Sequence, residues 1–170
     1  MARQDERLSP NQPIPDRFDR QPPHDLEAER GVIGSILLFN DKLDDVTGIV
    51  LAEHFYFDAY RRMFEGILRL RDKRSAFDAV TLASVLSKRG ELKEIGGEEA
   101  IHEVLAAVPH AGHVRHYAEI VREKWAQRSL ISVCNDCLRD AYEVGSDTEE
   151  VLTKAGERIF GLTESVMTAG

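Results

Sequence analysis

The spacing of apolar residues along the chain predicts a protein built of helices. Between Pro23 and Pro109 these residues recur at helical intervals in short segments, and no long segment alternates in the way of a β-strand. The predicted helices cover residues 26–39, 43–51, 59–73, 79–89 and 98–107. Because short helices must pack their apolar faces together, we expect an all-α fold with a compact bundle over residues 24–108.

The pattern changes after Pro109. Residues 113–144 contain neither glycine nor proline and predict one helix of about 30 residues, roughly 45 Å long. Gly145 ends that helix, and the sequence SDTE at 146–149 has the spacing of a capping box for a second helix. Because the connection is short, we expect the two helices to form an antiparallel hairpin over residues 109–167.

The first hairpin helix carries more apolar surface than the second helix can cover. Its early part, with Val114 and Val121, must pack on the bundle, since the second helix is too short to reach it. Its later part has two apolar stripes, whereas a hairpin partner needs only one. We expect a second copy of the chain to cover the other stripe; docking onto the chain's own bundle is the alternative. The residues predicted for this dimer interface are Leu130, Ile131, Val133, Cys134, Cys137, Leu138, Val151, Leu152 and Ile159.

The first predicted helix contains two glycines, Gly31 and Gly34, in the stretch PPHDLEAERGVIGSILLFN. Asp25 is placed to cap its first turn, and Glu27 and Glu29 lie near the positive end of its dipole. Each glycine costs a helix roughly 1 kcal/mol relative to alanine. The sequence therefore predicts that another element approaches this helix closely, or that the helix is irregular.

Composition limits the classes of function. The 170 residues carry a net charge of −8 and 42% hydrophobic residues, which supports a real core and argues against nucleic acid wrapped over most of the surface. No apolar run reaches the ~18 residues of a membrane span, and the polar N-terminus is not a signal peptide. Residues 1–23 hold five of the six prolines and predict a disordered tail. We expect a cytoplasmic protein.

Two groups of residues could carry chemistry, and each has a simpler explanation. Cys134 and Cys137 lie inside a helix, whereas a redox pair needs a thiolate at the start of a helix. A zinc site would need two further ligands, and none has a fitting spacing. The favoured interpretation is therefore two small residues of the core. Four histidines crowd into residues 102–116, but only one Glu-x-x-His spacing occurs, which favours loop and surface histidines. The chain contains no glycine–lysine pair, which excludes a phosphate-binding loop. We expect no catalytic, cofactor-binding or metal-binding residue.

A basic segment stands out in this acidic chain. The sequence RRMFEGILRLRDKR at 61–74 carries six basic and two acidic residues. It could bind phosphates or an acidic partner, whereas the simpler explanation is a solvated helix face whose alkyl stems cover the core. The candidate partner patch consists of Arg61, Arg62, Arg69, Arg71, Lys73 and Arg74.

The series of motifs along the chain resembles the N-terminal region of the bacterial replicative DNA helicase, the DnaB family. The resemblance rests on P-H-D-L-E-A-E-x-x-V-I-G-S-I-L at 23–37, on Glu53-His54-Phe55-Tyr56, on Phe77-Asp78 and on Tyr117-Ala118-Glu119-Ile120-Val121-Arg122-Glu123. It covers about residues 23–165, in order. Gly34 matches the family's own glycine, whereas Gly31 stands where alanine is common.

The resemblance implies a function that composition does not show. In that family this region is a non-catalytic scaffold: hairpins pair the domains as dimers, three dimers form the collar of a hexameric ring, and the domain helps to bind primase. A helicase loader is a further partner. The full-length, nucleoid-associated helicase unwinds duplex DNA at the replication fork with ATP and Mg²⁺, through a following motor domain that makes most DNA contacts. The chain is then a fragment without ATPase activity of its own.

Two other functions remain open from the sequence. The helicase-binding domain at the end of primase has a similar fold, although it follows a polymerase domain, whereas here a methionine and a polar tail precede the match. A DNA-binding regulator could place a helix-turn-helix at residues 79–107. Its second helix, however, would carry Glu98, Glu99 and Glu103 and no lysine or arginine, which repels phosphates.

Overall fold

The structure, a computed structural model, describes residues 20–73, 76–108, 111–143, 145 and 147–168. Within these ranges it contains seven α-helices and no strand, which confirms the all-α prediction. The helices are α1 Leu26–Leu38, α2 Lys42–Val46, α3 Asp58–Asp72, α4 Ala79–Lys88, α5 Gly97–Ala106, α6 Val114–Tyr142 and α7 Thr148–Thr168. Residues 1–19 of the predicted tail lie outside the described residues.

Local sequence signals place several helix ends correctly. Asp25 caps α1 by accepting a hydrogen bond from the Ala28 amide at 2.9 Å. Asp78 caps α4 in the same way, with the Thr81 amide at 2.8 Å. Gly90, whose φ of +74° suits glycine, follows the end of α4 as predicted.

Two predicted helix boundaries differ from the structure. The helix expected over 43–51 stops at Val46, because Gly48 follows closely and is a poor helix former. At the start of α7, Asp147 provides a cap by accepting a backbone amide hydrogen bond at 3.0 Å. Ser146 of the predicted capping box lies outside the described residues.

α1 is the centre of a compact head, which comprises residues 20–25 and helices α1 to α5. α5 and α6 pack along α1, and α2 and α3 also contact it. Every residue from Gly31 to Leu37 is consequently buried, whereas the sequence pattern predicted one apolar face. The core of the head includes Val32, Ile33, Ile36, Leu43, Met63, Phe64, Ile67, Leu82, Leu86 and Ile101.

The two glycines of α1 lie where neighbouring elements come closest. A Cβ atom on Gly34 would lie 2.2 Å from Cγ2 of Val108 and 2.7 Å from the carbonyl oxygen of Val104. A Cβ atom on Gly31 would lie 2.6 Å from Cδ2 of the Tyr117 ring on α6. The predicted close approach is therefore confirmed, and Gly31, which the sequence left unexplained, makes room for α6.

α6 belongs to both the head and the hairpin formed by α6 and α7. Val114, Ala118 and Val121 are buried against the head, as expected for the early part of this helix. No residue between Arg122 and Tyr142 is buried, and α7 packs along that part. The hairpin therefore projects from the head as two helices without a closed core.

Substitution of the two α1 glycines should destabilise the protein to different degrees. Gly34→Ala should lower the free energy of unfolding by about 1–3 kcal/mol, because the new methyl group must displace the backbone near Val104. Gly31→Ala should cost less, since a tyrosine ring shifts more readily than a carbonyl group. Urea unfolding followed by circular dichroism measures both effects.

Gly161→Ala is the matched control, because a Cβ atom at this helical position in α7 would meet no atom within 4 Å. It should raise the stability by up to ~1 kcal/mol through helix propensity. A Gly34→Ala protein as stable as the parent would contradict the close approach at α1.

Candidate self-association surface

Large apolar side chains are exposed along the hairpin. The exposed set comprises Leu130, Ile131, Leu138, Tyr142, Leu152, Ile159, Phe160 and Met167. The exposed fraction is 68% for Leu152 and 80% for Tyr142. Since contiguous apolar surface on a protein commonly marks an interaction site, the hairpin is the candidate surface for binding another molecule.

The residues predicted for a dimer interface separate into two sets. Those exposed to solvent are Leu130, Ile131, Cys134, Leu138, Leu152 and Ile159. Those half-buried within the chain's own hairpin are Val133, Cys137 and Val151. α7 thus covers one apolar stripe of α6 and leaves the other uncovered.

Charged side chains fasten α7 to α6. Arg158 Nη1 donates to Asp140 Oδ2 at 2.6 Å, and this contact lowers the pKa of the Asp140 carboxyl. Arg158 also interacts with the side chain of Cys137, which further raises the pKa of the guanidinium. Such a partly exposed ion pair stabilises little, but it places Arg158 of α7 beside Asp140 of α6.

Arg128 joins the hairpin to the head. This α6 side chain donates to the carbonyl oxygens of Pro23 and His54, each at 2.7 Å. Its guanidinium carbon also lies 5.3 Å from the centre of the Tyr56 ring. One planar cation therefore binds the segment before α1 and the loop before α3 to the base of the hairpin.

Glu29 is the buried acidic residue at this junction between the head and the hairpin. It is 1% exposed, and its carboxylate accepts hydrogen bonds from the amides of Tyr56 at 2.9 Å and Phe57 at 3.2 Å. Burial raises the pKa of Glu29, while these amides and the positive charge of Arg128 oppose the rise. Burial likewise lowers the pKa of Arg128, and Glu29 opposes that change. The buried charge of Glu29 and the half-buried charge of Arg128 compensate each other, which reduces the cost of desolvating them.

His54 completes the junction as a neutral buried side chain. Its Nδ1 accepts a hydrogen bond from the Leu51 amide at 3.1 Å, and its ring packs on Trp125 with centroids 4.2 Å apart. Burial, together with the positive charges of Arg122 and Arg128, lowers the pKa of His54 to about 4.

Sequence reasoning missed this junction. The sequence indicates only that Glu29 lies near the positive end of the helix dipole. Its hydrogen-bond partners are backbone amides, which no pattern of side chains reveals. His54 and Tyr56 occur in a motif of the family resemblance, but their contacts are not visible there. The one available signal was Trp125, the only tryptophan, which lies one helical turn from Arg128.

The basic segment of α3 is partly neutralised. Arg62 pairs with Asp58, with Glu94 at 2.8 Å and with Glu91 at 3.5 Å, and Arg61 also pairs with Asp58. The remaining described members of the candidate partner patch, Arg69, Arg71 and Lys73, are exposed. Arg74 lies outside the described residues.

The candidate metal ligands do not converge in the described part of the chain, where no group of three or more ligating side chains occurs. His102, His113 and His116 are exposed, and His110 lies outside the described residues. Cys134 is exposed rather than in a core, because it belongs to the uncovered stripe of α6. None of the described helices has the length and apolar character needed to cross a membrane.

Comparison with known sequences finds one family. The family model described as the DnaB-like helicase N-terminal domain matches residues 21–123. The chain is 36% identical to the replicative DNA helicase DnaB of Mycobacterium leprae, over 89% of this chain and 26% of that protein. It is 33% identical to the Geobacillus stearothermophilus helicase of the same name, over 86% of this chain and 32% of the relative. The chain thus spans about a quarter to a third of these relatives.

Two solved structures have the same fold. The crystal structure of the N-terminal domain of DnaB helicase from Mycobacterium tuberculosis matches with a TM-score of 0.78 and 36% identity, over 83% of this chain and 99% of that one. A DnaB-like replicative helicase, described with its interactions with primase, matches with a TM-score of 0.61 and 22% identity. That second match covers 84% of this chain and 31% of the other, and it shows the fold alone.

From the burial of His54 we expect the free energy of unfolding to depend on pH. Its pKa falls from the ordinary 6.5 to about 4 on folding, so the unfolded state binds more protons between these values. The free energy of unfolding should therefore decrease as the pH drops through this window, by about 3 kcal/mol for this group. The raised pKa of Glu29 has the opposite sign and adds stability as the pH falls.

Urea unfolding of the parent and of His54→Asn between pH 4 and 7 isolates the histidine contribution, because Glu29 is common to both proteins. The difference in the free energy of unfolding between the parent and the variant should shift by about 3 kcal/mol from pH 7 to pH 4, to the disadvantage of the parent, because only the parent carries the imidazole. In parallel, the His54 ring should stay neutral at pH 5.5 by NMR, and a titration near 6.5 would show that it is not buried.

Proposed function

The chain belongs to the family of DnaB-like helicase N-terminal domains, and we propose that it is a non-catalytic scaffold and interaction domain of a replicative DNA helicase. The observation that carries the proposal is the uncovered apolar stripe of α6, which includes Ile131, Cys134 and Leu138. Water contact with such a stripe is unfavourable, so a second surface is expected to cover it. A second hairpin of the same chain supplies that surface in a two-fold dimer.

The proposed dimer is the unit of a larger assembly. Three dimers would form the collar of a hexameric ring in the longer protein. We propose that residues 24–108 form the globular domain of this unit and that residues 109–167 form its dimerising hairpin. The first half of α6 is shared, because Val114, Ala118 and Val121 complete the core of the head.

The activity proposed for the longer protein follows from its relatives, which are named replicative DNA helicases. We propose that it unwinds duplex DNA with ATP and Mg²⁺, in a motor domain outside this chain, and that most DNA contacts lie in that motor. The net charge of −8 supports a limited role of this domain in DNA binding.

Primase is the second proposed partner. A helicase of the same fold has been described with its interactions with primase. On this chain the exposed Arg69, Arg71 and Lys73 offer a positive surface to an acidic partner. Arg71 also lies 3.6 Å from Asp72, and Arg62 is paired with acidic residues of the head. A helicase loader is proposed as a further partner from family membership.

Leu138→Asp tests the dimer. In the single chain this side chain is 43% exposed, so the substitution should leave the head folded, and circular dichroism should show no loss of helix beyond the outer hairpin. In the dimer it would bury an unpaired charge, which costs several kcal/mol and should raise the dissociation constant more than a hundredfold. Sedimentation at tens of micromolar should show dimers of the parent and monomers of the variant.

Val80→Asp is the matched control, because Val80 is 75% exposed on α4, away from the hairpin. It should sediment as the parent does. A parent chain that is a monomer at every concentration up to tens of micromolar would contradict the proposed pairing.

A further inference from the structure

A groove runs between the segment Arg20–Pro23 and α6, at the base of the hairpin. We call it the base groove and define it by Pro22, Pro23, Tyr56, Arg128, Leu130 and Ile131. Its walls are mainly apolar. The hydrogen bond from Arg128 to the Pro23 carbonyl holds its two sides together, so the groove exists before any partner binds.

The exposed apolar residues of the uncovered stripe have a symmetric spacing along α6. They are Leu130, Ile131, Cys134, Leu138, Ala141 and Tyr142. Positions 130 and 142, 131 and 141, and 134 and 138 are mirror pairs about position 136. In a two-fold contact between antiparallel helices, each position lies level with its mirror position on the partner. The stripe therefore suits an antiparallel α6–α6 contact centred near residue 136.

The charges of the hairpin indicate the same orientation. From Asp136 to Arg158, around the hairpin turn, the chain has seven acidic and three basic residues. Residues 114–128, at the base, have four basic and two acidic residues. An antiparallel pair places each acidic turn beside the basic base of its partner, whereas a parallel pair would bring two acidic turns together.

Tyr142 reaches the base groove in this arrangement. It is level with position 130 of the partner, and it projects from the same side of α6 as Ile131 and Arg128, at 100° per residue. A two-fold axis perpendicular to the two helices keeps that side common to both copies. The exposed ring of Tyr142 therefore comes to the side of the partner on which the groove opens.

We propose that the base groove is a binding site for Tyr142 of a second copy of this chain. Its apolar walls accept the ring, while the hydroxyl group stays at the open edge beside Arg20. The site rests on the pairing proposed above and adds that the head, as well as the hairpin, contacts the partner. Each dimer contains two such sites, one at either end of the α6–α6 contact.

A photo-crosslinking amino acid tests the site directly. Tyr142→p-benzoyl-phenylalanine keeps an aromatic ring of the right shape, and irradiation of a mixture of ¹⁵N-labelled and unlabelled chains identifies bonds between copies. We expect covalent dimers whose linked peptides contain residues 20–23, Tyr56 or residues 128–135 of the other copy. The same probe at Val80, which is also highly exposed, should give no covalent dimer.

Sedimentation of the probe-bearing chain separates the two ways in which the idea can fail. A monomer would overturn the pairing and this site together. A dimer whose crosslinks map to the partner's turn or α7 would overturn the site alone. In the parent background, Tyr142→Ser should weaken the dimer roughly tenfold while the fold is unchanged, and an unchanged dissociation constant would also overturn the site.

Discussion

The close packing of α1 between α5 and α6 is the constraint on which the rest of the structure depends. Gly31 lets the Tyr117 ring of α6 lie directly on α1. Gly34 lets the end of α5, at Val104 and Val108, approach α1 equally closely. A side chain at Gly34 would have to displace the backbone near Val104, and one at Gly31 would have to displace the Tyr117 ring, in a packed core that does not absorb such shifts easily. The path of α6 as it leaves the head therefore depends on the absent side chain at Gly31, and the position of the end of α5 depends on the one absent at Gly34.

The polar contacts of Glu29 and Arg128 fix the direction in which α6 leaves the head. Glu29, on the first turns of α1, holds the loop at Tyr56 and Phe57 through backbone amides. Arg128, farther along α6, binds the same loop and the segment before α1. Hydrogen bonds from a charged group to buried backbone are directional and costly to leave unmade. The base of the hairpin is thus bound at a defined orientation to the head, as the proposed ring assembly would require.

Most of the fold, but little of this junction, could be predicted from the sequence. Helix positions follow from apolar spacing and from caps such as Asp25 and Asp78, which are local signals. The two stripes of α6 are also visible in its sequence, but which one faces α7 depends on how the helix is rotated by its contacts with the head. The roles of Glu29 and Arg128 depend on backbone groups brought close by the tertiary fold, and side-chain identity does not report those groups. Cys134 is a second example. The spacing of apolar residues shows that it lies on an apolar face of the helix, but not whether its own chain or another molecule packs against that face.

The distribution of burial couples the hairpin's stability to its partner. The core of the head is complete within one chain, from Val32 on α1 to Val121 on α6. Beyond that point no described residue of α6 or α7 is buried, and two helices alone bury too little apolar surface to offset their loss of conformational entropy. Pairing would supply the missing burial, so forming the dimer and ordering the outer hairpin are expected to be a single event. The head can fold first and hold the base of the hairpin in place. Packing against the partner then orders the outer part of the hairpin.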